Sequence, residues 1–308
     1  MIYHALVRSK RKTILGGNVR GISTLALLNE VKPQSIVVLE LDSWQLQGFG
    51  DLKISPQVAV FTSLMPDHPK YYKNMEEYFA DKANIFHFQQ QDDFLLVGER
   101  VLERVKAARP PTAPQVPPPI PADWTLKVIG EHNRENASLA AAALRALGLS
   151  EQEIRIGLES FEPVEGRLQF VREVRGVKIY NDNNATTPEA TIAALKALHE
   201  LSAFSFQRSV ILIIGGSDKQ LDMSALIDEI NKPDNKIILL NGTGTSRLLK
   251  AESWQLKAPH YGPFNSLPEA LTAAFKNATD GDVILFSPAF ASFGMFKNEF
   301  DRGDQFNT

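Results

Sequence analysis

Short runs of aliphatic and β-branched residues recur along the chain, separated by longer stretches of helical periodicity. They read SIVVLEL (35–41), QVAVFTSL (57–64), FLLVG (94–98), VKIYND (177–182), SVILIIGG (209–216), KIILL (236–240) and DVILFS (282–287). Continuous apolar runs of this length suit strands covered by helices on both faces, so the pattern predicts an α/β fold with mainly parallel sheets. A further short strand over Thr13 to Leu15 follows the tail of an amphipathic helix (Met1 to Val7) and runs into Gly16, Gly17 and Asn18. The helices carry their own punctuation. In TTPEATIAALKALHELS, Thr186 or Thr187 can cap, Pro188 fits the first turn, Glu189 complements the dipole, and Ile192, Leu195 and Leu198 form a stripe. Another helix is expected from Glu135 to Leu147. Between Pro110 and Pro121 seven of twelve residues are proline, a stiff extended segment that excludes helix and central strand and reads as a loop insertion. The better joint lies near Pro163, which gives domains over 1–163 and 164–308.

Composition agrees with two domains, since 308 residues with 44% apolar content can bury a sizeable core. The net charge of −3 and the scatter of Lys and Arg exclude the basic face of a nucleic-acid binder. No apolar run of about 20 residues and no charged-then-apolar leader is present, so neither membrane insertion nor secretion is expected. There is no cysteine, hence no disulfide and no thiolate chemistry, and the cytoplasm is the expected compartment.

In open parallel sheets, ligands gather at the carboxyl ends of the strands, and the residues there are unusually chemical in this chain. SIVVLEL ends in Glu40 and leads to Asp42, Ser43 and Gln45; QVAVFTSL leads to Pro66, Asp67 and His68. VKIYND ends in Asp182, SVILIIGG leads to Ser217, Asp218 and Lys219, and DVILFS leads to Pro288 and Ser292. One such residue alone is more often a cap or turn residue; five clusters on one edge weigh more. MEEYFADKANIF adds an anomaly. Met75, Tyr78, Phe79, Ala83 and Phe86 make an apolar helical face, and Lys82 falls within it. Two readings stand: Lys82 lays its stem on apolar surface with its ammonium in water, or it is a partly buried amine that can take up carbon dioxide and face a hard cation as a carbamate.

The strings GGN, LELDSWQL, MPDH, ADKANIF, GEHNRENA, GRLQFV, YNDNNATTPEATIAAL, GGSDK and SPAFASFGMFKNEFDRGDQF occur in the order and spacing of the Mur ligase family. The resemblance covers essentially the whole chain and is strongest to members that join D-glutamate to UDP-N-acetylmuramoyl-L-alanine. It implies a central ATPase-type domain, represented by most of its length in 1–163, and a Rossmann-like α/β domain for the amino acid in 164–308. The family's glycine-rich phosphate loop has no counterpart here: no GxxxxGK[ST] string exists in the 308 residues. The chain is therefore expected to correspond to a portion truncated after that loop, without the uridine-binding domain, and to be weakly active or inactive alone.

Residue by residue, the resemblance implies that Glu40 and His68 contribute to magnesium binding, with Lys82 as a carbamylated lysine facing a second magnesium. Asn133 and Asn136 would meet the adenine of ATP, and Arg167 and Asp182 its phosphates and ribose. Thr186, Lys219 and Ser292 would hold the carboxylates of D-glutamate, and Asn18, Ser43 and Gln45 would line the path of the muramoyl substrate. The plainer alternative for Asn133, Asn136 and Ser292 is a capping or turn role. Departures from the family pattern are Asp42, Pro69, Lys70 and Tyr71 after His68, Asn184 where a cation is usual, Gly294 and Glu299. The implied reaction is peptidoglycan-precursor ligation through an acyl phosphate by a monomeric enzyme. The competing class is a non-catalytic module that binds nucleotide or amino acid on the same scaffold.

Overall fold

The computed structural model describes residues 1–68, 71–202, 209–250 and 255–308. Pro69 and Lys70 lie outside them. The chain divides into two compact units: Met1–Pro66, Lys70–Lys127 and His132–Phe161 form one, and Asp67–Pro69, Val128–Glu131 and Glu162–Thr308 the other. No helix among the described residues is long and apolar enough to cross a membrane.

The first unit contains α1 (Ile2–Arg8), β1 (Thr13–Gly17), β2 (Ile36–Glu40), α2 (Ser43–Leu52), β3 (Val58–Phe61), α3 (Met75–His87), β4 (Phe94–Val97), α4 (Leu102–Ala107), β5 (Pro114–Gln115), α5 (Glu131–Ala146, all but its first residue) and α6 (Glu151–Glu159). β1 and β2 pair in parallel; β3, β4 and β5 form a second parallel sheet. The proline-rich segment is thus more than a loop: Pro114 and Gln115 dock on Leu95 and Leu96 as a two-residue edge strand, a place where a missing N–H costs little. α5 starts four residues before the expected Glu135, leaving Asn133 and Asn136 inside the helix and not at its cap. One apolar cluster joins Ala5 and Leu6 of α1 to Ala137, Ala141 and Leu144 of α5 and Ile154 and Leu158 of α6. A second joins β3 and β4 to Phe79, Ala83 and Phe86 on α3, the face read from the periodicity.

The second unit contains β6 (Gln169–Val174), β7 (Val177–Asn181), α7 (Pro188–Ser202), β8 (Val210–Ile214), α8 (Ser224–Ile230), β9 (Asn235–Leu240), α9 (Thr243–Lys250), β10 (His260–Phe264), α10 (Leu267–Lys276), β11 (Val283–Phe286) and α11 (Glu299–Asn307). Its sheet runs β10-β9-β8-β11-β7-β6, parallel except for the antiparallel β6–β7 edge. Every residue of β8 and β11 is buried, each large side chain contributing about 1.5–3 kcal/mol by leaving water. Leu195 and Leu198 of α7 pack on one face of the sheet with α8; Ala270 and Ala274 of α10 and Phe306 of α11 pack on the other. α7 begins at Pro188, so Thr187 takes the cap position.

Candidate functional site

In the first unit, the strand-end residues gather where β1 and β2 finish. Gly17 has φ +90°, and a Cβ there would stand 2.0 Å from the Glu40 carbonyl oxygen, so only glycine lets β1 run this close to β2. The Asn18 N–H then donates to the Glu40 carbonyl at 2.7 Å. The Glu40 side chain is exposed at the tip of β2. Two residues on, Asp42 caps α2: its carboxylate accepts from the Gln45 N–H at 2.8 Å, and the Asp42 N–H donates to Gln45 Oε1 at 3.2 Å. This capping box explains Asp42, a departure from the family pattern, and occupies the Gln45 side-chain oxygen. Ser43 is buried beside Tyr72, whose hydroxyl is pushed up to about 12 by burial, with the Asp81 carboxylate adding to the rise.

Lys82 is half-buried on α3, its Nζ 5.2 Å from the centroid of the Tyr78 ring. The ammonium is therefore held over an aromatic face, an attraction of about 0.5–2 kcal/mol. Asn133 and Asn136 are half-buried and stand three residues apart in the first turns of α5, a spacing that puts both amides on one face.

In the second unit, three strand-end segments meet. Lys219, after β8, donates from Nζ to Thr186 Oγ1 at 3.0 Å and to Asp67 Oδ1 at 2.9 Å. Burial raises the Asp67 pKa, but the Lys219 ammonium, its hydrogen bond, the His68 N–H and the His68 ring together outweigh that and hold the carboxyl below its ordinary 3.8. The His68 ring lies 3.8 Å from Asp67 Oδ2, with its backbone at φ +55°. The segment after β11 is stitched to both neighbours: Ala289 N–H donates to the Ala185 carbonyl at 2.9 Å, and Ala291 and Ser217 exchange backbone bonds of 3.1 and 2.9 Å. Ser292 follows, 4% exposed.

Asp182 is more deeply embedded than its sequence position suggests. Its Oδ2 accepts from Ser287 Oγ at 2.8 Å and its Oδ1 from the Leu168 N–H at 3.0 Å. Burial pushes its pKa up to about 7, against the pull of these two bonds and of the neighbouring Arg167 cation. Arg167 itself is exposed. Asn184, the other departure beside it, donates from its side chain to the Glu165 carbonyl at 3.2 Å and from its N–H to the Gly166 carbonyl at 3.0 Å, so it anchors the Arg167 turn in place of offering a cation.

Two further residues escaped the sequence reading. Arg302 is fully buried and donates to Asn183 Oδ1 (2.6 Å), the Asn183 carbonyl (2.8 Å) and the Phe290 carbonyl (3.0 Å), tying α11 to two of the three segments. The signal was the same as for Lys82: a cation on the face that carries Gly303 and Phe306. Arg247 on α9 binds Asp218 at 3.0 Å.

No group of three or more His, Asp or Glu side chains is arranged to hold a metal among the described residues. Glu40 and Lys82 belong to the first unit and His68 to the second. Carboxylate, imidazole and carbamate are donors that a hard divalent cation accepts, but among the described residues their arrangement forms no metal cluster within either unit.

Comparison with known proteins matches residues 1–112 to the Mur ligase middle domain and residues 166–290 to the Mur ligase glutamate ligase domain. The UDP-N-acetylmuramoylalanine–D-glutamate ligase of Roseiflexus sp. (strain RS-1) is 35% identical, over 96% of this chain and 69% of that protein. The enzyme of the same name from Clostridium kluyveri is 34% identical, over 99% and 69%. Among solved structures, the MurF ligase of Thermotoga maritima in complex with ADP shares the fold at a TM-score of 0.67 and 15% identity, over 99% of this chain and 74% of that one. E. coli FolC in complex with DHPP and ADP does so at 0.69 and 16%, over 94% and 82%. With middle and glutamate-ligase domains in order and relatives above 30% identity across nearly its whole length, the chain belongs to the Mur ligase family.

Proposed function

We propose that this chain carries the adenine-side and amino-acid-side machinery of an ATP-dependent ligase that adds D-glutamate to UDP-N-acetylmuramoyl-L-alanine in peptidoglycan-precursor synthesis. The observation that carries it is the meeting of Lys219 and Thr186 at 3.0 Å from separate strand ends, beside the segment bearing Ser292. A cation and hydroxyls so placed suit a small dicarboxylate: each charge-assisted hydrogen bond contributes about 1.5–3 kcal/mol.

A carboxylate is a poor acyl donor, so the reaction first forms an acyl phosphate from ATP. The amine of D-glutamate then attacks the acyl carbon, the tetrahedral adduct expels phosphate, and the amide remains. Phosphoryl transfer is mainly positioning and charge neutralisation. In this reading Asn133 and Asn136 meet the adenine, because an amide both donates and accepts, and Arg167 supplies a cation for the phosphates. Asp182 holds the Arg167 turn through Leu168. Asn18 and Gln45 face the muramoyl substrate, Gln45 through its amide nitrogen, since its oxygen caps α2; Ser43, which the family likeness also assigns to that path, is buried beside Tyr72 and does not reach it. Magnesium accompanies ATP, with Glu40, His68 and Lys82, as a carbamate, assigned to it on the family likeness. The proposed setting is the cytoplasm, and the proposed working form a monomer.

The test is phosphate release with ATP, magnesium, UDP-N-acetylmuramoyl-L-alanine and D-glutamate, measured on the 308-residue chain and on the chain joined to a Gly-Lys-Ser/Thr phosphate-loop segment. Without the loop's amides and lysine the bare chain should fall below the joined form by more than the 10²–10³ lost, in order of magnitude, when one oxyanion donor is removed. Robust release by the bare chain contradicts the division of labour, and release by the joined form that ignores D-glutamate contradicts the amino-acid assignment.

A further inference from the structure

Lys219 stands on a turn that its own strand does not hold. After β8 the chain runs through Gly215, Gly216, Ser217, Asp218, Lys219 and Gln220, with Gln220 in the left-handed region at φ +60°. A lysine stem has four rotatable carbons, so an ammonium on an unrestrained turn would sample many positions.

Ser217 is held by its backbone bonds to Ala291; beyond it, the restraint on the turn comes from α9, which follows the neighbouring strand β9. The Gly244 N–H donates to the Gly216 carbonyl at 2.9 Å, and a Cβ on Gly242 would stand 2.3 Å from that same oxygen, so the start of α9 abuts the turn directly. The Asp218 N–H donates to Thr243 Oγ1 at 2.9 Å. One helical turn on, Arg247 Nη1 donates to Asp218 Oδ1 at 3.0 Å and to the Leu221 carbonyl at 3.0 Å. Asp218 Oδ1 also accepts from the Gln220 N–H at 2.8 Å. Thr243 and Arg247 are four residues apart and project from one face of α9. A single guanidinium nitrogen thereby bridges the two ends of the Asp218–Leu221 turn, which carries Lys219 between them. Arg247 also balances the Asp218 charge, which would otherwise compete for the adjacent ammonium.

We infer that Arg247 is a positioning residue for the amino-acid subsite: by clasping Asp218 and Leu221 it fixes the turn and so the Lys219 ammonium, without touching the substrate. The inference rests on the proposed pairing of Lys219 with a D-glutamate carboxylate. It predicts coupling. Removing Arg247 should matter only while Lys219 is present.

The experiment is a double-mutant cycle on the 308-residue chain: wild type, Arg247→Gln, Lys219→Met and the double variant, with D-glutamate affinity measured by NMR titration. Arg247→Gln should weaken binding about five- to tenfold, and the double variant should bind within about twofold of Lys219→Met alone. Hydrogen exchange at the Gln220 amide should quicken about tenfold in Arg247→Gln while the β8 amides stay protected. Arg247→Lys, which keeps the charge but not the planar fork, should fall between wild type and Arg247→Gln and serves in its place if the glutamine variant fails to fold. Losses that multiply in the double variant, or wild-type affinity in Arg247→Gln, overturn the inference and leave the Lys219 assignment standing. A wild-type chain that binds no D-glutamate refutes the subsite itself, a result seen before any change at Arg247 is made.

Discussion

Asp182 offers a sharp test of the physical account, because its carboxylate is buried and accepts hydrogen bonds from two neutral donors, the Ser287 hydroxyl and the Leu168 N–H. Its pKa is raised from 3.8 to about 7 by burial. A raised carboxyl binds its proton more tightly in the folded state than in the unfolded chain, so stability is greatest below the unfolded value and is lost as pH rises through the folded one. A shift of about 3 pH units at about 1.4 kcal/mol each sets an upper bound of roughly 4 kcal/mol on that loss. Asp182→Asn removes the titration and keeps the shape. Its amide oxygen can accept from the Leu168 N–H, and its amide nitrogen can donate to the Ser287 hydroxyl, which rotates to accept. The assay is urea unfolding of wild type and variant at about pH 5 and about pH 8.5, read on the methyl NMR signals of Ile211, Ile213 and Ile284 so that the second unit is followed by itself. Because only the span from about pH 5 to the folded value near 7 falls inside this window, the variant should gain up to about 2.7 kcal/mol on wild type between the two pH values. An equal difference at both would show that Asp182 does not change its charge there, and would refute the reasoning from burial.

Lys219→Ala and Ser292→Ala should each weaken D-glutamate binding by an amount on the order of 1.5–3 kcal/mol without unfolding the chain, as read by calorimetry. Asp67→Asn should tighten D-glutamate binding a few-fold by freeing Lys219 from its internal partner at 2.9 Å; unchanged affinity by the same titration would count against a shared Lys219. Because the Asp67 pKa is lowered, its pairing should stabilise above the ordinary 3.8 and fade only as pH falls through the lowered value, which acid unfolding of wild type against Asp67→Asn checks. In the phosphate-loop-bearing form, Lys82→Ala should abolish most turnover, acetate should restore part of it, and carbon-dioxide depletion should slow the wild type; full activity of the variant would reduce Lys82 to a cation resting on Tyr78.

The central strands were legible because burial on both faces writes them as unbroken apolar runs: β8, β9 and β11 stand where SVILIIGG, KIILL and DVILFS predicted them. The edge strands were not. β6 (QFVREV) mixes charged and apolar residues without alternation, β10 (HYGPF) is largely exposed and carries a glycine and a proline, and β5 is built partly of proline, so periodicity carried little signal there. At the candidate site, the strand-end placement of Glu40, Asp182, Lys219 and Ser292 followed from the topology of parallel sheets. What the sequence hid was partnership across long separations: Lys219 with Thr186 and Asp67, Asp182 with Ser287, Arg302 with Asn183. Local spacing does not encode such pairs. It did mislead at α5, where Asn133 and Asn136 resembled caps until the helix proved to begin earlier, and at Thr186, whose hydroxyl serves Lys219 and not α7.

The measurement that tests the central claim most directly is a titration of the isotope-labelled 308-residue chain with D-glutamate and, in parallel, L-glutamate, following backbone amides by NMR. The account predicts saturable shifts for D-glutamate concentrated at Thr186, Ser217 to Gln220 and Ala291 to Phe293, with L-glutamate weaker by about tenfold or more. Equal responses to the two enantiomers, or shifts that avoid all three segments, would contradict it.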